Sequence, residues 1–224
     1  MTRFPNLILA LLMALVAWVP AVAQTAWPDS APEAFVMAHV DIETTGLDPA
    51  FHEMTDIGMV YTDVDGRELG RLYVRIMPPH PERIDPGARA VNGFDVDYWR
   101  ANGAVDEAEA TARILAFHRR VAAGRTVMFT AYNAWFDQGF LSAMLARNGA
   151  AWRDLFHYHV LDIPSMAWGQ GLLQTRGSGV AEAVGVPDET RVPIEHTGIT
   201  GADFNVSVYR ALLVRRADGG LDRP

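Results

Sequence analysis

Residues 35–43 read FVMAHVDIE: apolar side chains fall on both faces of the segment, which then ends on two acids. A strand that is apolar on both faces must be covered on both sides, so it belongs in the middle of a sheet with helices above and below. Residues 56–63 and 69–76 have strand character too, and Asp65-Gly66 supplies the turn between them. Three strands in quick succession imply an antiparallel meander. A Pro-rich stretch follows at 78–86. Residues 105–121 then carry Ala110, Ile114, Phe117 and Val121 on one helical stripe, closed by Gly124. A strand at 126–131, a helix at 135–148, a strand at 157–162, a loop-rich stretch at 171–195 and a helix at 202–215 complete the order. The pattern predicts an α/β domain: one mixed five-stranded sheet flanked by helices.

With 224 residues, half of them hydrophobic, the chain suits one substantial domain. There is no Cys, which excludes disulfides, Cys-ligated zinc and thiol nucleophiles. All 19 basic residues are Arg, so every basic contact is a planar guanidinium suited to phosphate. Arg3, the apolar run at 7–19, Pro20 and Ala21-Val22-Ala23 match a secretion signal with its cleavage site. The expected division is a signal peptide at 1–23, a linker at 24–34, a catalytic domain at 35–216 and a tail at 217–224. The destination is then the periplasm or the exterior, with no stable membrane partner; the alternative is an inner-membrane anchor formed by residues 4–23. The net charge is −8, and loss of Arg3 makes it one unit more negative. Such a chain has no general attraction for long nucleic acid, so any such binding is local.

Asp41 and Glu43 stand two apart on a strand and so share a face. Side-by-side carboxylates repel unless protonated or bridged by a cation. Alone, such a pair is equally a solvated strand end. Asp137 falls in the first turn of a helix, where the dipole favours an acid. It also shares the face of Phe140, Leu141 and Met144, so it points inward and needs a partner. His196 and Asp203 lie at the start of the last helix.

The stretch from Val40 to Pro49 (VDIETTGLDP) resembles the first motif of the DEDD exonuclease superfamily. That group includes the proofreading epsilon subunit of DNA polymerase III, oligoribonuclease and ribonuclease T. Asn133 to Asp137, with Phe140 and Leu141, resembles its second motif. Asp203 with the upstream His196 resembles its third, in the His-bearing branch. The resemblance runs from about Phe35 to Leu213 and implies an RNase H-like (ribonuclease H superfamily) fold. It implies that Asp41, Glu43, Asp137 and Asp203 hold two divalent cations, Mg²⁺ or Mn²⁺, and that His196 is the general base. It assigns Thr44, Thr45, Gly46, Leu47, Asn133 and Phe136 to substrate binding. The implied reaction is metal-dependent 3′–5′ hydrolysis of single-stranded DNA or RNA to nucleoside 5′-monophosphates. Some relatives dimerise, so a homodimer is compatible with the resemblance.

The third motif departs from the family spacing, which puts His five positions before the last acid. Here the fifth position before Asp203 is Gly198, and His196 lies seven before. A two-residue insertion within 197–201 would return His196 to the site. The alternatives are a catalytically impaired DEDD-fold module that binds nucleic acid or protein, and a zinc hydrolase built on His157, His159 and His196.

Overall fold

The computed structural model describes residues 28–217. The expected signal peptide at 1–23 and all but one residue of the tail fall outside them. The central strand is β1 (Phe35–Thr44). It pairs antiparallel with β2 (Met54–Thr62), and β2 pairs antiparallel with β3 (Glu68–Arg75). On its other side β1 runs parallel to β4 (Thr126–Ala131), which pairs with β5 (Val160–Asp162). The order β3-β2-β1-β4-β5 combines the expected meander with two parallel additions.

The two faces of β1 are covered by different helices. Val36, Ala38, Val40 and Ile42 join the main core with residues of α3 (Glu107–Ala122) and α4 (Ala134–Arg147). On α3 these are Ala110, Ile114, Phe117 and Ala122, the first three on the stripe read from the sequence, whose Val121 packs against them partly buried. Asp106 starts that helix by accepting a hydrogen bond from the Glu109 N–H at 2.8 Å. Buried Glu107 joins α3 to α4 through Arg147, with N–O distances of 2.6 and 3.1 Å. On the opposite face, Phe35 and Met37 pack with Tyr209 of the long last helix, α7 (Gly198–Ala217). The Tyr209 ring also lies 5.0 Å from that of His39. Asp41 and Glu43 continue this second face by parity, so the two acids project on the α7 side.

Four short helices stand where loops or nothing definite was expected: α1 (Pro86–Asn92), α2 (Val96–Ala101), α5 (Ile163–Gly169) and α6 (Gly177–Val184). None exceeds eight residues, too few turns to show a period. Their ends carry local signals: Pro86 at the start of α1, Asp95 capping α2 and Asp162 capping α5. Strand β5 has only three of the six residues expected of it. Phe94 and Trp99 are buried, and the Trp99 indole donates to the Thr55 carbonyl at 2.7 Å.

Helix α7 begins at Gly198, four residues earlier than its apolar pattern suggests. Its glycines resemble breakers in the sequence, yet here they serve close packing. A Cβ on Gly58 of β2 would overlap the Gly198 carbonyl and the Ile199 Cα, and a Cβ on Gly198 would stand 2.5 Å from the Asp41 carbonyl oxygen. The Gly198 N–H donates to buried Asp56 at 2.8 Å, and Asn205 donates to the Val40 carbonyl at 2.9 Å. Backbone obstructs any side chain at position 58. Gly58→Ala is therefore expected to destabilise the fold by about 3 kcal/mol, the upper range for overpacking. Urea denaturation checks this; an unchanged midpoint would refute the flush contact.

Candidate active site

Strand β4 pairs with β1 only as far as His39, so the two parallel strands part towards their C-terminal ends. Crevices of this kind are where open α/β sheets bind ligands. A cavity of about 470 Å³ opens there, lined by Asp41, Glu43, Asp137, His196 and the start of α4. A larger hollow of about 1030 Å³ lies elsewhere, bordered by Met37, Tyr209 and Leu213. It gathers none of these four groups.

Asn133 makes the turn from β4 into α4 in the left-handed region, with φ 58°, a conformation Asn tolerates better than most residues. Asp162 accepts from the Ala134 N–H at 3.1 Å, which ties the turn to β5. One turn on, Asp137 is buried beneath the helix. Burial raises its carboxyl well above the usual range, and the backbone N–H groups of Asp137 itself and of Ile42 oppose the rise. Asp41 is likewise raised by burial, then by the charges of Asp137 and Glu43. Glu43 is pushed up to about 9 by burial and by neighbouring Asp56 and Glu189. Asp56 is raised to about 7 by burial, although the Gly198 N–H and the Tyr73 hydroxyl donate to it.

His196 reaches the same cavity. Its Nδ1 lies 2.9 Å from the Thr190 carbonyl, a contact only an N–H can make, which leaves Nε2 as the acceptor. Nε2 lies 3.3 Å from Glu43 Oε1. The expected insertion is not what brings His196 here. It lies just before α7, and the position five residues on, which faces Asp41, is Gly201. A Cβ there would overlap the Asp41 carboxylate.

Asp203 does not join the group, contrary to the sequence expectation. Its side chain is 47% exposed and pairs with Arg71 at 3.2 Å on the β3 side. Two residues along a helix is a rotation of about 200°, so residues 201 and 203 cannot face the same way. Among the described residues, no three Asp, Glu or His side chains converge tightly enough, as they stand, to ligate one ion. His157 and His159 stack on each other and do not line the cavity.

Of the residues assigned to substrate, Thr44, Leu47, Asn133 and Phe136 line the cavity. Thr45 and Gly46 do not; they shape its wall. Thr45 is fully buried, and its hydroxyl accepts from the Glu53 N–H at 3.0 Å. The His52 ring occupies the space a side chain on Gly46 would need. The sequence reading missed Asp56, Trp135 and Glu189. Trp135 lines the cavity and is 71% exposed; Leu47, also in the lining, is 78% exposed. An exposed Trp beside the second motif was the available signal for it; Asp56 and Glu189 left none.

No family model matches the chain. Oligoribonuclease of Azoarcus sp. (strain BH72) is 32% identical over 133 residues, which span 57% of this chain and 70% of that protein. Ribonuclease T of Actinobacillus pleuropneumoniae serotype 5b (strain L20) is 29% identical over 147 residues, 60% of this chain and 66% of that protein. Among solved structures, exonuclease I superposes with a TM-score of 0.66 at 19% identity, over 82% of this chain and 41% of its own. The chain thus spans slightly less than two thirds of the ribonuclease T and under half of exonuclease I. The fold is that of exonuclease I, RNase H-like, and the relationship to oligoribonuclease covers most of that enzyme's length. With β1 ending on Asp41 and Glu43 and α4 opening on Asn133 and Asp137, the chain belongs to the DEDD exonuclease superfamily.

Proposed function

We propose that this chain is a divalent-metal-dependent 3′–5′ exonuclease acting on the 3′ end of single-stranded nucleic acid, and that it is exported. One observation carries the reading: Asp41, Glu43 and Asp137 share one cavity with His196, whose Nε2 is the accepting nitrogen and faces Glu43. Catalysis belongs to the whole protein, and the relatives lend it support by name: ribonuclease T, oligoribonuclease and exonuclease I. Solved exonuclease I complexes hold oligonucleotides, one of them with zinc.

The donor set fits a hard cation in kind. Its ligands are all oxygen, and no Arg stands in the cavity lining to balance their charges. Mg²⁺ or Mn²⁺ held by Asp41, Glu43 and Asp137 would supply Lewis acidity and a more acidic water. The remaining roles belong to side chains. His196 accepts a proton at Nε2 while the Thr190 carbonyl holds Nδ1–H and fixes the tautomer. This role is the support for assigning the chain to the His-bearing branch. Leu47 and Trp135 both line the cavity and are exposed, so a terminal base can be gripped there by apolar contact and stacking. A second reading, a member that binds without cutting, is favoured by Gly201 standing where the family carries its fourth acid.

The deciding experiment follows mononucleotide release from a 3′-end-labelled single-stranded oligonucleotide with Mn²⁺ and with EDTA. Release is expected to need metal, to vanish in Asp41→Ala, and to fall about 10²–10⁴-fold in His196→Ala. Asp203→Ala is expected to cut at the wild-type rate. A folded wild-type protein that releases nothing would favour the binding module.

The raised carboxyl pKa values set a second expectation. Glu43, near 4.5 when unfolded and about 9 when folded, keeps its proton in the native state while the unfolded chain loses it. The metal-free fold therefore loses stability as pH rises from about 4.5 to 9. A cation offsets the same charges, so Mn²⁺ is expected to raise Tm more at pH 8 than at pH 6. Equal shifts in thermal melts would argue against a cation at these acids.

Export rests on the leader. Mass spectrometry of protein secreted by a Gram-negative host is expected to find a mature chain beginning at Gln24. Full-length chain in the membrane fraction would show an anchor instead.

A further inference from the structure

The His196 ring meets a carboxylate at each of its nitrogens. Nε2 lies 3.3 Å from Glu43 Oε1 on the cavity side. On the far side, Nδ1 lies 2.9 Å from the Thr190 carbonyl oxygen and 3.5 Å from Glu189 Oε1. A neutral imidazole has a single N–H, so these acceptors compete for it. With the hydrogen on Nδ1, Nε2 can accept a proton. With the hydrogen on Nε2, the ring donates to Glu43 and has no lone pair to offer in the cavity.

Glu189 belongs to the segment between α6 and α7 and is absent from the cavity lining. Its side chain is 15% exposed, and its Oε1 accepts from the Thr200 hydroxyl at 3.2 Å. Burial raises its carboxyl, and the facing His196 and the Thr200 hydroxyl oppose the rise. Backbone contacts hold the turn that carries His196. The His196 N–H donates to the Val192 carbonyl at 2.9 Å, and the turn abuts Gly93, where a Cβ would stand 3.1 Å from the Pro193 carbonyl carbon. Glu189 thus bears on the ring rather than on the turn.

We infer that Glu189 is a positioning residue for His196, which joins the Thr190 carbonyl in holding Nδ1–H and so keeps Nε2 turned to the cavity as an acceptor. Two acceptors on the Nδ1 side outweigh Glu43 at Nε2, and a carboxylate there repels the lone pair that the other tautomer would aim at it. Without the Glu189 charge, one acceptor remains on each side and the hydrogen is shared between the two nitrogens. A Gln in its place can even donate to Nδ1 and favour the unproductive form.

This inference rests on the exonuclease reading, and its test separates the two because one arm needs no activity. Long-range proton–nitrogen NMR of the metal-free mature protein at alkaline pH reads the tautomer, with the His196 signals identified by their loss in His196→Ala. Wild type is expected to carry its hydrogen on Nδ1, and Glu189→Gln to show added Nε2–H tautomer. With Mn²⁺, Glu189→Gln is expected to lower kcat about 10–100-fold and to leave KM unchanged. In a His196→Ala background it is expected to cost nothing more, since it acts through that ring alone. An unchanged tautomer in Glu189→Gln, or a further loss in the His196→Ala background, would overturn the inference. A wild type that shifts tautomer as expected yet releases no nucleotide would sink the exonuclease reading while upholding the role of Glu189 at the ring.

Discussion

The start of α7 rests on the sheet with no side chain between them. Gly58 on β2 and Gly198 on α7 meet backbone to backbone, and Asp56 takes the first N–H of the helix. This contact sets the depth at which everything after it lies. It puts Gly201 against the Asp41 carboxylate. It places His196, two residues before the helix, within 3.3 Å of Glu43. A bulkier residue at either glycine would lift the helix and draw His196 away from the acids. Close helix–sheet packing and the position of the candidate base are thus one constraint.

The same contact creates an electrostatic cost. Asp41, Glu43, Asp56 and Asp137 are held in a poorly solvated region, and each has its carboxyl raised first by burial. Hydrogen bonds from the Ile42 backbone, Gly198 and Tyr73 relieve part of it. No Arg lines the cavity to relieve the rest. A chain with a full hydrophobic core can carry such a site, because the apolar layers on both faces of β1 supply stability independent of it. Buried carboxylates crowded together with little basic charge beside them favour a cation over a structural role.

The sheet was legible in the sequence because its signals are long and periodic. The double-faced apolar run of β1, the stripe of α3 and the inward position of Asp137 each follow from spacing alone, and the structure has all three. The short helices were not legible, since one or two turns carry no period. The third motif failed for a more specific reason. Two acids two residues apart on a strand share a face, but position 203 is rotated by about 200° from position 201 on a helix. Counting from Asp203 demanded an insertion, whereas counting from His196 reaches Gly201 with none. Glycine there looked like loop, because the sequence does not show what a side chain would strike. Asp56 was invisible in another way: its meeting with Gly198 joins residues 142 apart in the chain.

Net charge and site geometry together limit how a polyanion can be held. At −8 the molecule exerts no long-range pull on nucleic acid. The acids at the floor of the cavity repel a phosphate until a cation sits among them. Under the proposed function, grip would therefore come from Leu47 and Trp135, which expose apolar surface, and from the cation itself. Stacking and metal coordination both act at one nucleotide and depend little on the strand beyond it. Under the proposed exonuclease reading, such a site favours recognition of an end over recognition of a length.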